Sequence, residues 1–214
     1  MPNIKLKVTD PHKKIVDSIL IAMGSHVNSA IFVATPHIKK SVKDLVRTAI
    51  VTSPTYLSLA NGILRSDLGV VDSITDMNNI IDIWMSEVEV EVKLFVVHGN
   101  RFTGGLKVNI IDASFQNVLN VSSSFYQSNL HRIEWLKWLL TSGSASIIRD
   151  YMVSYEISPF SRTGGAIMRG SSGSNFSINP AFAGTPTDNF VTKAMHGIKD
   201  NIADIIHKEI VSRI

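Results

Sequence analysis

The stretch PHKKIVDSILIAMGSHVNSAIFVATPHIKKSVKDLVRTAIV, Pro11 to Val51, decides the fold. Ile15, Ile19, Met23, Val27, Ala30 and Ala34 recur every three or four residues, and Ile38, Val42, Leu45, Val46, Ala49 and Ile50 continue the pattern. That period is the apolar stripe of an α-helix. Asp10 reads as its cap, and Pro11 takes the first helical position, where a missing N–H costs nothing. The pattern predicts one long helix, kinked or broken near Pro36, because an internal proline removes a backbone donor and crowds the preceding turn. Thr52-Ser53-Pro54 ends it. With Asp17, Ser18, Ser25, His26 and Asn28 interrupting the apolar run, the segment is expected to be neither a signal peptide nor a membrane-spanning helix.

Downstream, Asn61-Gly62 reads as a turn into a short extended run through Val70 and Val71, and a second helix is expected from about Ser73 to Trp84. Val88, Val90, Val92, Leu94 and Val96 then alternate with Glu87, Glu89, Glu91 and Lys93, the pattern of a strand with one buried and one wet face. Leu106, Val108 and Ile110 repeat that period after HGNRFTGG, so residues 87 to 112 form an antiparallel hairpin with a long tip. A further strand is expected near Gln116 to Ser122. SNLHRIEWLKWLLTSG carries a serine cap, an amphipathic helix and a glycine stop at Gly143, and SIIRDYMVSYEIS reads as another strand. In TPTDNFVTKAMHGIKDNIADIIHKEIVSRI, Thr185, Pro186 and Asp188 mark a helix start, and Val191, Ala194, Met195, Ile198, Ile202, Ile205, Ile206 and Ile210 form its stripe. The fold class is α+β: a small antiparallel sheet packed against long N- and C-terminal helices, with an inserted hairpin, in one domain of 214 residues.

Composition removes whole classes of chemistry. The chain has no cysteine, which excludes disulfides, thiolate zinc sites and cysteine nucleophiles. Apolar residues make up 44%, enough for a core. A net charge of +3 is weak beside the clustered basic face of a dedicated nucleic-acid binder. None of the seven histidines falls in HxxxH or HxxEH spacing, and His196 and His207 lie roughly 16 Å apart along a helix, too far to share a metal. No GxSxG or GxxxxGK frame occurs. No catalytic, cofactor-binding or metal-binding residue is therefore assigned.

Four features are candidates for contact. Lys39, Lys43 and Arg47, with Lys40 beside them, form a basic stripe at four-residue spacing, suited to an acidic partner or to the phosphates of passing DNA. Glu87, Glu89 and Glu91 form an acidic row on the wet face of the hairpin. Arg101 and Phe102 sit between glycines at its tip, and both residue types are common in protein contacts. SRTGGAIMRGSSGSNF, Ser161 to Phe176, holds Arg162 before two glycines and offers backbone N–H groups to an anion. A phosphate loop links a strand to a helix start, whereas the residues after Gly165 read as strand or loop. A glycine-hinged loop or loose hairpin within one domain is the reading favoured, the alternative being a nucleotide- or nucleic-acid-binding enzyme that uses Ser161 to Gly173 with Arg162 and Arg169.

The order of these parts resembles the tail-completion or neck protein family of tailed bacteriophages. Pro54, Gly62, Leu64 and Arg65 match its first motif, and Pro180, Phe182, Phe190 and Ala194 match its second, with WLKWLLTSG and SRTGGAIM between them. The segment from about 71 to 129 is longer than in compact members, and INPAFAGTP stretches the usual proline-to-helix spacing. The resemblance implies a virion structural protein of the head–tail junction, without enzymatic activity or cofactor. It implies a ring homo-oligomer, hexamer or dodecamer, assembled in the host cytoplasm. Its neighbours would be the portal-side connector and the tail terminator or tail tube, and DNA would pass through it. A tail terminator of the same junction is the alternative. The hairpin's acidic face and the helix's basic stripe would then supply the two different surfaces that a head-to-tail ring needs.

Overall fold

The computed structural model describes residues 10–99, 101–111, 114–127 and 132–214, and its architecture is α+β. Helix α1 (His12–Val51) runs for 40 residues, about 60 Å at ~1.5 Å per residue. Its C-terminal half buries Ile31, Ala34, Ile38, Val42, Val46 and Ile50, none more than 1% exposed. Complete burial of such a side chain contributes roughly 1.5–3 kcal/mol. Pro36 does not break the helix. The carbonyl it leaves without an N–H is that of Phe32, and both residues face solvent, where water takes the bond. By length and mean hydropathy, 1.4 over an 18-residue window, α1 is apolar enough to cross a membrane, and 22% of that window is buried.

Two short helices, α2 (Pro54–Asn61) and α3 (Ile63–Leu68), follow where a turn and an extended run were expected. Leu64 and Leu68 keep a helical period into the core, and left-handed Gly69 closes α3. Helix α4 (Ser73–Glu87) begins at an Asp72 cap and buries Met77, Ile80, Ile81 and Trp84. The Trp84 ring meets Phe115 and Phe190 edge-on, each at 6.4 Å. The strand expected over Gln116–Ser122 is instead helix α5 (Gln116–Leu119) and a 3-10 turn. Helix α6 (Trp135–Thr141) buries Trp135, Leu136, Leu139 and Leu140, and the expected serine cap at Ser128 lies outside the described residues. The C-terminal helix is divided at Ile198 into α7 (Phe190–Gly197) and α8 (Lys199–Val211). Its cap is Asn189, not Thr185: the Asn189 side chain accepts from the Val191 and Thr192 amides. Thr185 closes a turn with Asp188 instead. Helices α4, α7 and α8 all pack against α1.

Among the described residues the strands form three antiparallel pairs: β1 (Glu89–His98) with β2 (Arg101–Asn109), β3 (Tyr126–Gln127) with β4 (Arg132–Ile133), and β5 (Ile148–Ser154) with β6 (Ile167–Phe176). In the first pair the alternation expected through Val96 does not persist. Lys93 pairs with Gly105 and Val96 with Thr103, so Leu94 and Phe95 together oppose Gly104. This bulge shifts the side-chain parity by one. Before it, Val90 faces the core, as do Leu106 and Val108 across from it. After it, Phe95, Val97 and Phe102 turn toward α1, while Leu94 and Val96 turn out, 59% and 48% exposed. A side chain from the middle of α1 holds the bulge: the Asn28 amide donates to the Phe95 carbonyl at 3.0 Å, and the Phe95 N–H donates to Asn28 Oδ1 at 2.8 Å. Gly104 is required opposite, because a Cβ there would stand 2.7 Å from Phe95 Cα.

Asn28→Ala strands both backbone groups of Phe95 and should lower unfolding stability in urea by about 1–3 kcal/mol, with faster amide exchange at Phe95. Gly104→Ala should detach the hairpin similarly. Wild-type exchange in both variants would show that the bulge is not held this way.

Candidate interaction surfaces

The residues singled out in the sequence occupy separate places on the fold. Lys39, Lys43 and Arg47 lie along one side of α1, spaced about 6 Å apart, each half-buried. Arg47 is occupied by an ion pair with Asp82 of α4, so it ties two helices together. No carboxylate of the described residues pairs with Lys39 or Lys43. Glu89 and Glu91 are exposed on the outer side of β1, and Glu91 accepts from the Asn109 amide across the ladder. Glu87, the last residue of α4, is half-buried.

Arg101 and Phe102 are not on a long tip. Both belong to β2, with Arg101 opposite His98, because the hairpin closes more tightly than its glycines suggested. Phe102 packs edge-on against Phe95 at 6.4 Å and reaches α1 at Gly24, where an added methyl would stand 3.3 Å from its ring. It anchors the hairpin rather than presenting it.

Arg162 lies over the Tyr126 ring at 4.1 Å and against Gly69. It borders a cavity of about 410 Å³ whose walls include Trp138, Ile148, Val153 and Met168. At its edge the Tyr155 hydroxyl donates to Asp67. Burial raises the Asp67 carboxyl above the usual carboxylate range, against the opposing effect of the Tyr155 hydrogen bond. Burial first, then the hydrogen bond and charge of Asp67, raises the Tyr155 phenol. Among the described residues, no histidine lines the cavity. The Ser161 hydroxyl is engaged at both ends with Ala166, donating to its carbonyl and accepting from its amide. An activated nucleophile donates its hydroxyl proton to a base, whereas the Ser161 hydroxyl donates to the Ala166 carbonyl. Nor is there a helix behind the loop: Ile167–Phe176 is strand β6 and the next helix starts at Phe190. The described residues hold no group of three or more metal-ligating side chains.

Two features escaped the sequence reading. Pro54 of the first motif and Phe182, Phe190 and Ala194 of the second line one hollow of about 350 Å³, joining segments more than a hundred residues apart. The second is uncovered apolar surface. Ile21 and Phe32 stand on α1, Phe32 at 79% exposed, while Ile157 and Phe160 after β5 are 97% and 84% exposed. The helical period of α1 was legible, but which turns the chain itself would cover was not. No family model, curated protein or solved structure matches the chain.

Because the folded chain binds the Asp67 proton more tightly than the unfolded chain does, this group's contribution to stability is full below the ordinary carboxylate value. It is lost as pH rises through the raised folded value. Asp76 is shifted the same way, by burial and by the charge of Asp72 against a Ser123 hydrogen bond. Asp67→Asn keeps an acceptor for Tyr155 and should flatten the decline in melting temperature above about pH 4, leaving the Asp76 part; an unchanged pH profile would contradict this.

Proposed function

We propose that this chain is a structural subunit of the head–tail junction of a tailed bacteriophage. It forms a neck or tail-completion ring, hexamer or dodecamer, between the portal-side connector and the tail terminator or tail tube, and it has no enzymatic activity or cofactor. The observation that carries this reading is the uncovered apolar surface on α1, the hairpin and the loop after β5. Single exposed apolar residues are ordinary, whereas grouped ones mark contact surfaces. Ile21 and Phe32 line one groove with Phe95, Val96 and Val97, and Ile157 and Phe160 are both exposed on one loop. Meeting of the two motif segments around Pro54 and Phe182 supports the resemblance, since residues far apart in sequence share one environment.

Lys39, Lys40 and Lys43 add positive charge without base-reading geometry, which suits an acidic neighbouring surface at Lys39 and Lys43 and leaves exposed Lys40 for sequence-independent contact with passing DNA. Assembly takes place in the host cytoplasm and the finished ring resides in the virion. A subunit of such a ring is held by shape and by two unlike surfaces rather than by chemistry at a site.

Static light scattering at physiological salt should give a mass six or twelve times 23.5 kDa, and electron microscopy of the same sample should show closed rings. Addition of ATP or GTP should leave the melting temperature unchanged. A monomer at every concentration, or stabilisation by a nucleotide, would contradict the proposal.

A further inference from the structure

We infer that the outer face of the β1–β2 hairpin of one copy docks on the Phe32–Lys43 face of α1 in the next copy; this contact rests on the ring reading above and specifies its two surfaces. The hairpin has one face on its own α1, through Phe95, Val97 and Phe102. Its other face, exposed among the described residues, carries Glu89, Glu91 and Leu94. On α1, Ile21, Phe32, Lys39 and Lys43 fall within about 40° of one another at ~100° per residue, beside the strip at Gly24 and Asn28 that the chain's own hairpin covers. Between that hairpin and this side of α1 lies an open groove of about 670 Å³, walled by Ile21, Phe32 and Val96 and floored by Gly24, Ser25 and Asn28.

Axial spacing decides the occupant. Within one copy, Phe95 is bonded to Asn28, and Val97 lies against Gly24. Two strand residues therefore match four helix residues, about 6.6 Å against about 6 Å. Counted in ladder steps, of which Leu94 and Phe95 share one, that register puts Leu94 and Lys93 at the height of about residues 29 and 30, Glu91 near 34 and Glu89 near 38. In a closed ring whose axis runs along α1, every copy stands at the same height. The neighbour's Leu94 then meets the groove beside Phe32, its Glu89 comes level with Lys39, and Glu91 and Glu89 lie about 7.5 Å along the axis from Lys39 and Lys43, a span that these long side chains bridge. Lys93 faces the Phe32 ring, which accepts a cation on its face, and Lys107 lies across the ladder from Glu91. No acidic residue of α1 lies on this face: Asp17 and Asp44 point about 60° and 120° away from Phe32.

The β-bulge acquires a role in this arrangement. Without it, Leu94 would fall on the same side of the strand as Val90. With it, the outer face gains an apolar residue beside its acids, and Phe95 takes over the contact to α1.

The test uses the full chain, which has no cysteine of its own. Leu94→Cys and Phe32→Cys are made as separate variants, each at an exposed position, and mixed under mild oxidation. A disulfide-linked heterodimer is expected in the mixture, resolved by mass, in clear excess over the homodimers that either variant gives alone. In parallel, Lys39→Glu with Lys43→Glu, or Glu89→Lys with Glu91→Lys, should weaken association about tenfold or more. Mixing the two reversed chains should restore the contact between them. If the wild type associates but the heterodimer is absent and the reversals have no effect, this contact is wrong and the ring reading survives. If the wild type stays monomeric, or floats with phosphatidylcholine vesicles instead of self-associating, both fall.

Discussion

Helix α1 is longer than the body it belongs to. At about 60 Å it exceeds the ~45 Å diameter of a compact chain of this length, for which the expected radius of gyration is about 17 Å. The rest of the chain can therefore cover only part of it. The C-terminal half takes the core, where Ile38 to Ile50 meet α4, α7 and α8. The N-terminal half receives a hairpin on one strip and the end of α8 near His26, whose ring bonds to the terminal Ile214 carbonyl at 3.0 Å. The strip that neither covers stays apolar and exposed.

The hairpin's attachment has its origin in the same constraint. A helix that projects past the core offers its partner little hydrophobic depth, so polar specificity does part of the positioning. Asn28 is a poor interior helix residue. Here its amide satisfies the backbone of a bulged strand residue that the ladder leaves unpaired. Phe102 against Gly24 adds a close approach, in which a methyl on Gly24 would stand 3.3 Å from the ring. Together these contacts set which hairpin face looks inward, and so which face is left for a neighbour.

Much of this was legible beforehand, and the misses have physical causes. The long helix, the helix at Ser73, the hairpin and the strand at Ile148 are all carried by periodicity, which reports the side that is buried. The bulge was not legible, because Val88 to Val96 alternate without a break and only the Gly104-Gly105 pair on the opposite strand marks the place. Asn61-Gly62 carries a turn signal but joins two helices, since Leu64 and Leu68 were too few to announce a helical period. Thr185-Pro186 has the composition of a helix start, yet Asn189 makes both side-chain bonds to the first amides. Of the candidate contact residues, Lys39, Lys43, Glu89 and Glu91 are available on surfaces, whereas Arg47 and Phe102 are engaged within the fold.

Coverage of the bare side of α1 by another copy of the chain can be read directly by hydroxyl-radical footprinting at increasing protein concentration. Phe32 should be modified readily in dilute solution and become protected as the chain self-associates, while Ile157 and Phe160, if they face other partners, report separately. Equal modification of Phe32 at all concentrations, in a sample that light scattering shows to be assembled, would contradict coverage by a second copy.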